Sequence, residues 1–145
     1  MNFKNIFNYL LYLLPWFLSA LIFKIDTTYY KNLNLPFFAP PSYIFAIIWP
    51  ILYLLISYSI YKTLPTSNQN YKKTLITNYI SNQLYTFFFF TLKSNPLALI
   101  DTIIVFITSL YLYKETKNKT KKYLIPYIIW NTFALILSLS ITIMN

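Results

Sequence analysis

The sequence predicts an all-α membrane protein, a five-transmembrane-helix bundle with a long loop between helices 1 and 2. Of its 145 residues, 57% are apolar and only 10% are charged, whereas soluble domains usually carry about 25% charged residues. Five mostly apolar stretches follow one another, each near the length of about 20 residues that a helix needs to span a bilayer. We expect one domain, residues 1–145, with helices at approximately residues 5–24, 42–62, 74–92, 96–113 and 123–144.

The first two spans end at charged or turn-forming residues. The first closes at Lys24 and Asp26. Its apolar stretch is longer than the roughly 7 to 15 residues of a secretory signal, so we expect a retained helix. The second closes at Lys62 and Pro65. The residues between these two spans form the long loop.

The last three spans are separated by a tight turn and a basic loop. The third ends at Lys93, and the sequence KSNP at residues 93–96 leads directly into the fourth. Pro96 suits the first turn of a helix, because the N–H that proline lacks would be unpaired there. The lysine-rich segment that follows, residues 114–122, is interpreted as a solvated loop ahead of the fifth span.

Lysine counting predicts an orientation, because five spans place the two termini on opposite sides. One side holds nine lysines: Lys4, Lys62, Lys72, Lys73, Lys114, Lys117, Lys119, Lys121 and Lys122. The other holds three: Lys24, Lys31 and Lys93. The bias predicts a cytoplasmic N-terminus for a multi-pass protein, and the membrane that we expect is a bacterial cell membrane.

The residue types that are missing exclude much of enzyme chemistry. The chain has no Cys, His or Gly, and its acids are Asp26, Asp101 and Glu115. Thiolate and imidazole sites are therefore excluded, and we expect no metal and no cofactor. No phosphate-binding glycine loop is available either. The net charge of +9 comes from lysine without arginine, so nucleic acid is not an expected partner.

Polar residues inside the third span should face protein or a cavity, because hydrocarbon offers no hydrogen bonds. Asn78 and Asn82 lie four residues apart on one helical face, which Tyr85 and Phe89 continue. Two amides followed by aromatic rings are typical of a ligand-binding wall. Hydrogen bonds that only join helices are an equally good explanation of the same pattern.

The second and fifth spans each place a tryptophan on a patterned face. Phe45, Trp49 and Tyr53 recur every four residues, and Pro50 removes one helical hydrogen bond beside Trp49. In the fifth span, Trp130 is followed on the same face by the small side chain of Ala134. The spacing alone favours helix packing over a ligand site.

Two other residues have structural interpretations. Trp16 suits an anchor at the membrane interface. Asp101, the one carboxylate within a span, lies five residues after Pro96. That places it near the headgroups, within reach of the helix dipole. A role in proton or ion coupling is the alternative for Asp101.

Three ordered blocks of the sequence resemble one family. Residues 33–41, LNLPFFAPP, are followed by Trp49 eight residues later and by Tyr53 four further on. This spacing resembles the signature of the TspO family, the translocator proteins and tryptophan-rich sensory proteins. Residues 82–101 are similar to the family's third and fourth helices, and residues 126–137 to its last helix.

The resemblance implies a five-helix bundle whose first loop caps a pocket within the membrane. Family members bind porphyrins and haem, and the mitochondrial ones bind cholesterol and benzodiazepine-type drugs. The implied function is a membrane receptor or carrier for tetrapyrroles. The implied pocket residues are Tyr30, Pro40, Phe45, Trp49, Tyr53, Asn82, Phe88, Trp130, Ala134 and Leu137.

The alternatives belong to other functional classes. A light-dependent porphyrin-degrading enzyme would use the two pocket tryptophans, and a small ion-coupled transporter would use Asp101. The expected partners are a porphyrin or haem-type ligand and membrane lipid. The family's dimers make a homodimer an alternative to a monomer.

Overall fold

The computed structural model describes residues 3–117 and 119–145, and within these ranges the regular structure is entirely helical. The α-helices are α1 (Phe3–Leu13), α2 (Leu18–Ile22), α3 (Thr27–Asn32), α4 (Ser42–Thr63), α5 (Gln69–Thr86), α6 (Asn95–Glu115) and α7 (Ile125–Met144). Tighter 3-10 turns lie at Leu14–Phe17, Leu64–Thr66 and Lys119–Leu124, and a wider π-helical turn lies at Phe87–Thr91.

Prolines shape the helix ends. Pro15 lies in the 3-10 turn that separates α1 from α2, so the first predicted helix is interrupted and ends at Ile22 rather than near residue 24. Pro15 lacks the N–H that a continuous α-helix would use. By contrast, α4 continues through Pro50. Pro96 lies in the first turn of α6, where a missing N–H has no cost.

The helix α5 starts at Gln69, earlier than the expected residue 74. Asn68 caps it, because its Oδ1 accepts the N–H of Tyr71 at 2.8 Å. Apolar periodicity misses this first turn because it is polar. The C-terminal end widens into the π turn, where the Leu92 N–H donates to the Phe87 carbonyl at 2.9 Å. Lys93 then turns the chain with a left-handed φ of 51°.

The long helices form a ring around one interior. α1 packs on α4, and α2 packs on α5. α5 in turn packs on α6, and α6 packs on α7. α4 and α7 close the ring, but their backbones meet at few points. Aromatic side chains span the space between them, including Phe45 of α4 and Trp130 of α7, whose ring centroids are 5.8 Å apart.

Polar and apolar residues are distributed as expected for a protein in lipid. The interior holds Ser57, Asn78 and Asn131, each at most 2% exposed, while Leu21 and Ile143 are 82% and 76% exposed. A soluble protein would lose stability with this arrangement, whereas hydrocarbon solvates exposed leucine and isoleucine well. The prediction of an all-α membrane protein is confirmed.

Among the residues that the structure describes, four segments are long and apolar enough to cross a membrane: Asn5–Ile22, Ser42–Thr66, Asn95–Glu115 and Lys119–Met144. The third predicted span is not among them, although α5 and its π turn form a helix of comparable length. Its amides lower its hydropathy, yet Asn78 and Asn82 are buried against neighbouring helices. The packing therefore places α5 within the bundle.

A chain of buried hydrogen bonds joins four helices. The Tyr53 hydroxyl of α4 donates to Asn82 Oδ1 at 3.2 Å, and Asn82 Nδ2 donates to the Tyr127 hydroxyl of α7 at 3.2 Å. Tyr127 in turn donates to Asn78 Oδ1 at 3.0 Å. Asn78 Nδ2 then donates to the Val105 carbonyl of α6 at 3.1 Å. We call Tyr53, Asn78, Asn82 and Tyr127 the amide–tyrosine network.

Replacing Asn78 should destabilise the bundle. We expect Asn78→Ala to lower the free energy of unfolding by about 1 to 2 kcal/mol. Buried partners left unpaired cost about 1–3 kcal/mol, and single interhelical hydrogen bonds in membranes average about 0.6 kcal/mol. Unfolding in mixed micelles by increasing SDS measures this. The control is Asn70→Ala on the exposed start of α5; equal losses in both variants would contradict a special role for the network.

Candidate functional site

Aromatic rings fill the space between α4, α7 and the loop above them. Tyr30 of α3 meets Phe45 with centroids 5.6 Å apart, and Phe45 meets Trp130 at 5.8 Å. Trp130 meets Phe133 at 5.2 Å, and Phe133 meets Phe38 of the loop at 6.3 Å. We call these five residues the aromatic cluster. Most of its pairs are edge-to-face, a favourable arrangement for aromatic rings.

The indole of Trp130 has an unused hydrogen-bond donor. Its Nε1 atom is buried and has no hydrogen-bond partner within the described chain. Buried indole N–H groups usually find an acceptor, and leaving one unpaired costs about 1–3 kcal/mol. Among the predicted site residues, Trp130 therefore has a donor left for another molecule.

A second set of rings lies deeper in the bundle. Trp49 packs on Tyr53 with centroids 5.5 Å apart, and Tyr53 stacks on Trp16 at 5.5 Å and 28°. Trp16 also meets the edge of Tyr79 at 5.3 Å. Only 2% of Trp16 is exposed. The expectation that Trp16 anchors the membrane interface is wrong, because the turn at Pro15 directs its ring inward.

Asn82 lies at the base of this deeper set. Its amide oxygen and nitrogen already have protein partners, Tyr53 and Tyr127. The contacts favour the interhelical interpretation of the third-span amides. Its place among the ligand-binding residues stays a prediction.

The other predicted residues lie around Tyr30 and along α7. The Tyr30 hydroxyl donates to the Pro40 carbonyl at 2.9 Å, and burial raises the pKa of Tyr30 to about 12. Leu137 is buried in the same apolar group as Tyr30, and the half-buried Phe88 packs against that group. Ala134 is half-buried one turn after Trp130. Tyr30, Phe45 and Trp130 thus lie in the aromatic cluster, whereas Trp49, Tyr53 and Asn82 lie in the deeper set.

A cavity of about 450 Å³ adjoins the aromatic cluster at Tyr30. Its walls combine apolar surface with a lysine and a hydroxyl. The lining residues are Tyr30, Lys31, Leu35, Ala39, Pro40, Pro41, Ser42 and Tyr43. It opens at the end of the bundle that carries the long loop.

The loop above the site is fixed to the turn between α5 and α6. Asp26 caps α3 by accepting the Tyr29 N–H at 3.0 Å, and its other oxygen lies 3.3 Å from Lys93 Nζ. The Tyr29 N–H and Lys93 together lower the pKa of Asp26. The Tyr29 hydroxyl donates to the Lys93 carbonyl at 3.2 Å and to Asn95 Oδ1 at 3.0 Å.

The same loop is joined to the C-terminus. The Asn34 N–H donates to Asn145 Oδ1 at 2.9 Å, and Asn145 Nδ2 donates back to the Asn34 carbonyl at 3.1 Å. Both ends of the loop segment that covers the aromatic cluster are therefore held by hydrogen bonds to the bundle.

A second cavity, of about 410 Å³, lies at the lysine-rich end of the bundle. Its lining is polar and includes none of the predicted site residues. The residues that line this cavity are Thr63, Thr66, Ser67, Asn68, Tyr71, Glu115 and Lys117. The two cavities thus mark opposite ends of the molecule.

Asp101 lies in the interior of the bundle. Only 3% of the residue is exposed, and the Ser81 hydroxyl of α5 is hydrogen-bonded to its carboxyl. Its side chain faces the α5 side of α6 and points into the bundle, which the sequence did not predict. Residue spacing from Pro96 gives the depth along the helix, but not the direction in which the side chain points.

Sequence reasoning also missed two polar residues of α7. Tyr127 is the junction of the amide–tyrosine network, and the buried Asn131 lies close to it. Their spacing of four residues was the available signal, because it places both on one helical face.

A family model described as the TspO/MBR family matches residues 9–144. The chain belongs to the TspO/MBR family. Tryptophan-rich protein TspO of Bacillus cereus is 35% identical over 136 residues, covering 90% of this chain and 89% of the relative. Tryptophan-rich protein TspO of Archaeoglobus fulgidus is 34% identical over 126 residues, covering 81% and 80%.

A third relative extends the similarity. The Bacillus subtilis protein named Uncharacterized membrane protein YtaB is 33% identical over 134 residues, covering 88% of this chain and 86% of the relative. The sequence resemblance to this family is thereby confirmed along nearly the whole chain. This chain has three tryptophans, Trp16, Trp49 and Trp130.

The burial of Trp16 gives a direct spectroscopic prediction. In a variant carrying Trp49→Phe and Trp130→Phe, Trp16 is the remaining indole. We expect its emission to be nearly insensitive to iodide, because Tyr53 and Tyr79 cover its ring. Stern–Volmer quenching measures this. The same variant after unfolding in SDS is the control, and strong quenching of the folded variant would contradict the buried position.

Proposed function

We propose that this TspO/MBR protein is a membrane receptor or carrier that binds flat, largely apolar tetrapyrroles of the porphyrin or haem type in the aromatic cluster. The observation that supports this is the convergence of rings from the loop, α4 and α7 in a space where the backbones of α4 and α7 meet at few points. If the rings of the aromatic cluster gave up their edge-to-face contacts and stacked on a macrocycle, they would still have favourable aromatic contacts.

The unpaired donor of Trp130 supports a ligand with an acceptor group. A ring nitrogen, carbonyl or carboxylate next to Nε1 would remove the cost of a buried unpaired N–H. A mostly apolar pocket with a few placed polar groups is the usual composition of a small-molecule site. In this proposal Trp130, rather than Asn82, orients the ligand.

The cavity beside Tyr30 suits the polar edge of such a ligand. Lys31 and Ser42 line it, so an ammonium and a hydroxyl lie next to an otherwise apolar site. Carboxylates on a tetrapyrrole would be placed near Lys31 while its ring lies among the aromatic side chains. A ligand of this class is therefore amphipathic, with its charged edge toward the loop.

Stacking would hold the ring, whether or not it carries iron. The chain has neither His nor Cys, which are common axial ligands of haem iron. The contribution of the protein is then the shape of the pocket, its aromatic faces and the Trp130 donor.

Titration with metal-free protoporphyrin tests this proposal. We expect saturable quenching of tryptophan emission by the wild-type protein in detergent or nanodiscs. Trp130→Phe should raise Kd by about 2- to 10-fold, because an aromatic pair contributes about 0.5–1.5 kcal/mol and about 1.4 kcal/mol is tenfold. Loss of the indole N–H donor should also raise Kd.

Trp16→Phe is the matched control for that titration. Trp16 lies behind Tyr53, away from the aromatic cluster, so this variant should bind with nearly unchanged Kd. Porphyrin absorbance in a pull-down follows binding independently of tryptophan emission. Absent saturation, or equal Kd in wild type and Trp130→Phe, would remove the site assignment.

We also propose that the lysine-rich end faces the cytoplasm. Asn68 donates to Glu115 across the loops of that end, and Lys93 pairs with Asp26 at the other, so the two lysine groups lie at opposite ends. Nine lysines against three favour the lysine-rich end inside.

Cysteine labelling tests this orientation, because the natural chain has no Cys. We expect a membrane-impermeant maleimide to label Lys31→Cys in intact cells and Lys117→Cys only after lysis. Both positions are exposed. The reverse pattern would show the opposite orientation.

A further inference from the structure

Asp101 is a carboxyl group deep in the bundle without a compensating positive charge. Only 3% of the residue is exposed, and Oδ2 has no hydrogen-bond partner among the described residues. The Ser81 hydroxyl is hydrogen-bonded to the carboxyl. Neither Asp101 nor Ser81 belongs to the aromatic cluster or to the loop above it.

The groups around this carboxyl are neutral. The titratable side chains that face it are Tyr85 of α5 and Tyr127 of α7, and the lysines of the described chain give it no charge partner. Lys93, at the loop end of α6, is paired with Asp26 instead. An isolated carboxylate in such surroundings costs several kcal/mol, so a buried acid takes up a proton instead.

We propose that Asp101 is a proton-binding site in the interior of the bundle. The neutral acid donates its O–H to Ser81 Oγ, which leaves the carbonyl oxygen Oδ2 unpaired at a smaller cost than an unpaired carboxylate oxygen. Release of the proton creates a buried negative charge, which water or a helix movement must then stabilise. This site is separate from the tetrapyrrole site and does not depend on it.

A second unpaired group belongs to the same polar region. Asn131 is 2% exposed, and its Nδ2 has no partner within the described residues. Asn131 lies close to Tyr127, which is also within electrostatic reach of Asp101. A water molecule that accepts from Asn131 would hydrate this region, so an entering water has a donor to bind on α7.

The position of the site links proton binding to the packing of three helices. Ser81 belongs to α5, Asp101 to α6, and Tyr127 to α7. Tyr127 is also the junction of the amide–tyrosine network. Ionisation of Asp101 should therefore loosen contacts among α5, α6 and α7 without removing a residue from the aromatic cluster.

Infrared spectroscopy of the full chain in lipid tests the proton directly. The chain has three acidic side chains, so three variants assign every side-chain carboxylic acid band. At neutral pH we expect a protonated-carboxyl C=O band in the wild type, in Asp26→Asn and in Glu115→Gln. The band should be absent in Asp101→Asn. No such band in the wild type, or its persistence in Asp101→Asn, would overturn the proposal.

Two further variants keep the test valid if Asp101→Asn fails to fold. Ser81→Ala should retain the acid band but shift its frequency, because the hydrogen bond is lost. Thr77→Ala on the exposed face of α5 is the control and should leave the band unchanged. An unshifted band in Ser81→Ala would overturn the assignment to an acid that is hydrogen-bonded to Ser81.

The pH dependence of Tm gives a second test, because the proposal predicts the direction in which Tm changes. A folded chain that holds one more proton than the unfolded chain loses stability as pH rises. Tm should therefore fall between pH 5 and pH 8, where an exposed carboxyl with a pKa of about 3.9 is already ionised. Asp101→Asn should remove that slope. A slope that survives the substitution, or sodium-dependent stabilisation at constant pH that Asp101→Asn abolishes, would overturn proton binding.

Discussion

The chain of hydrogen bonds from Tyr53 through Asn82, Tyr127 and Asn78 is the constraint on which the rest of the bundle depends. Burial of apolar surface gives little preference for one helix rotation in a bilayer, because lipid tails are as apolar as leucine. Amides and phenols do give a preference, because lipid offers them no partner. The network therefore sets how α4, α5, α6 and α7 face one another.

Once these rotations are fixed, the tryptophans have little freedom. Trp130 lies three residues after Tyr127, and Trp49 lies four residues before Tyr53, so each shares a helical face with a network member. The side chains that hold the helices together thus also direct Trp130 toward the gap between α4 and α7 and Trp49 onto Tyr53. Helix packing and the aromatic cluster are here two results of one arrangement of side chains.

The sequence predicted the features that depend on composition and spacing, and it missed those that depend on local geometry. Apolar length and lysine breaks predicted the helical membrane fold, and the period of four placed Asn78 and Asn82 inward. Hydropathy undervalued α5, because buried amides count as polar wherever they lie. The inward turn of Trp16 after Pro15 and the direction of Asp101 depend on backbone geometry and helix rotation, which no residue pattern along one segment reports.

Because the chain has no glycine, the turn after α5 is made by a residue whose side chain can also bind the loop above the aromatic cluster. The tight turn after α5 requires a left-handed residue, a conformation that costs an ordinary residue roughly 1–2 kcal/mol. Lys93 occupies it, with φ of 51°, while its ammonium pairs with Asp26 and its carbonyl accepts from Tyr29. Those loop contacts offset the strain, so the turn and the loop above the aromatic cluster stabilise each other. A glycine there would relieve the strain but would remove the ion pair that attaches the loop to the bundle.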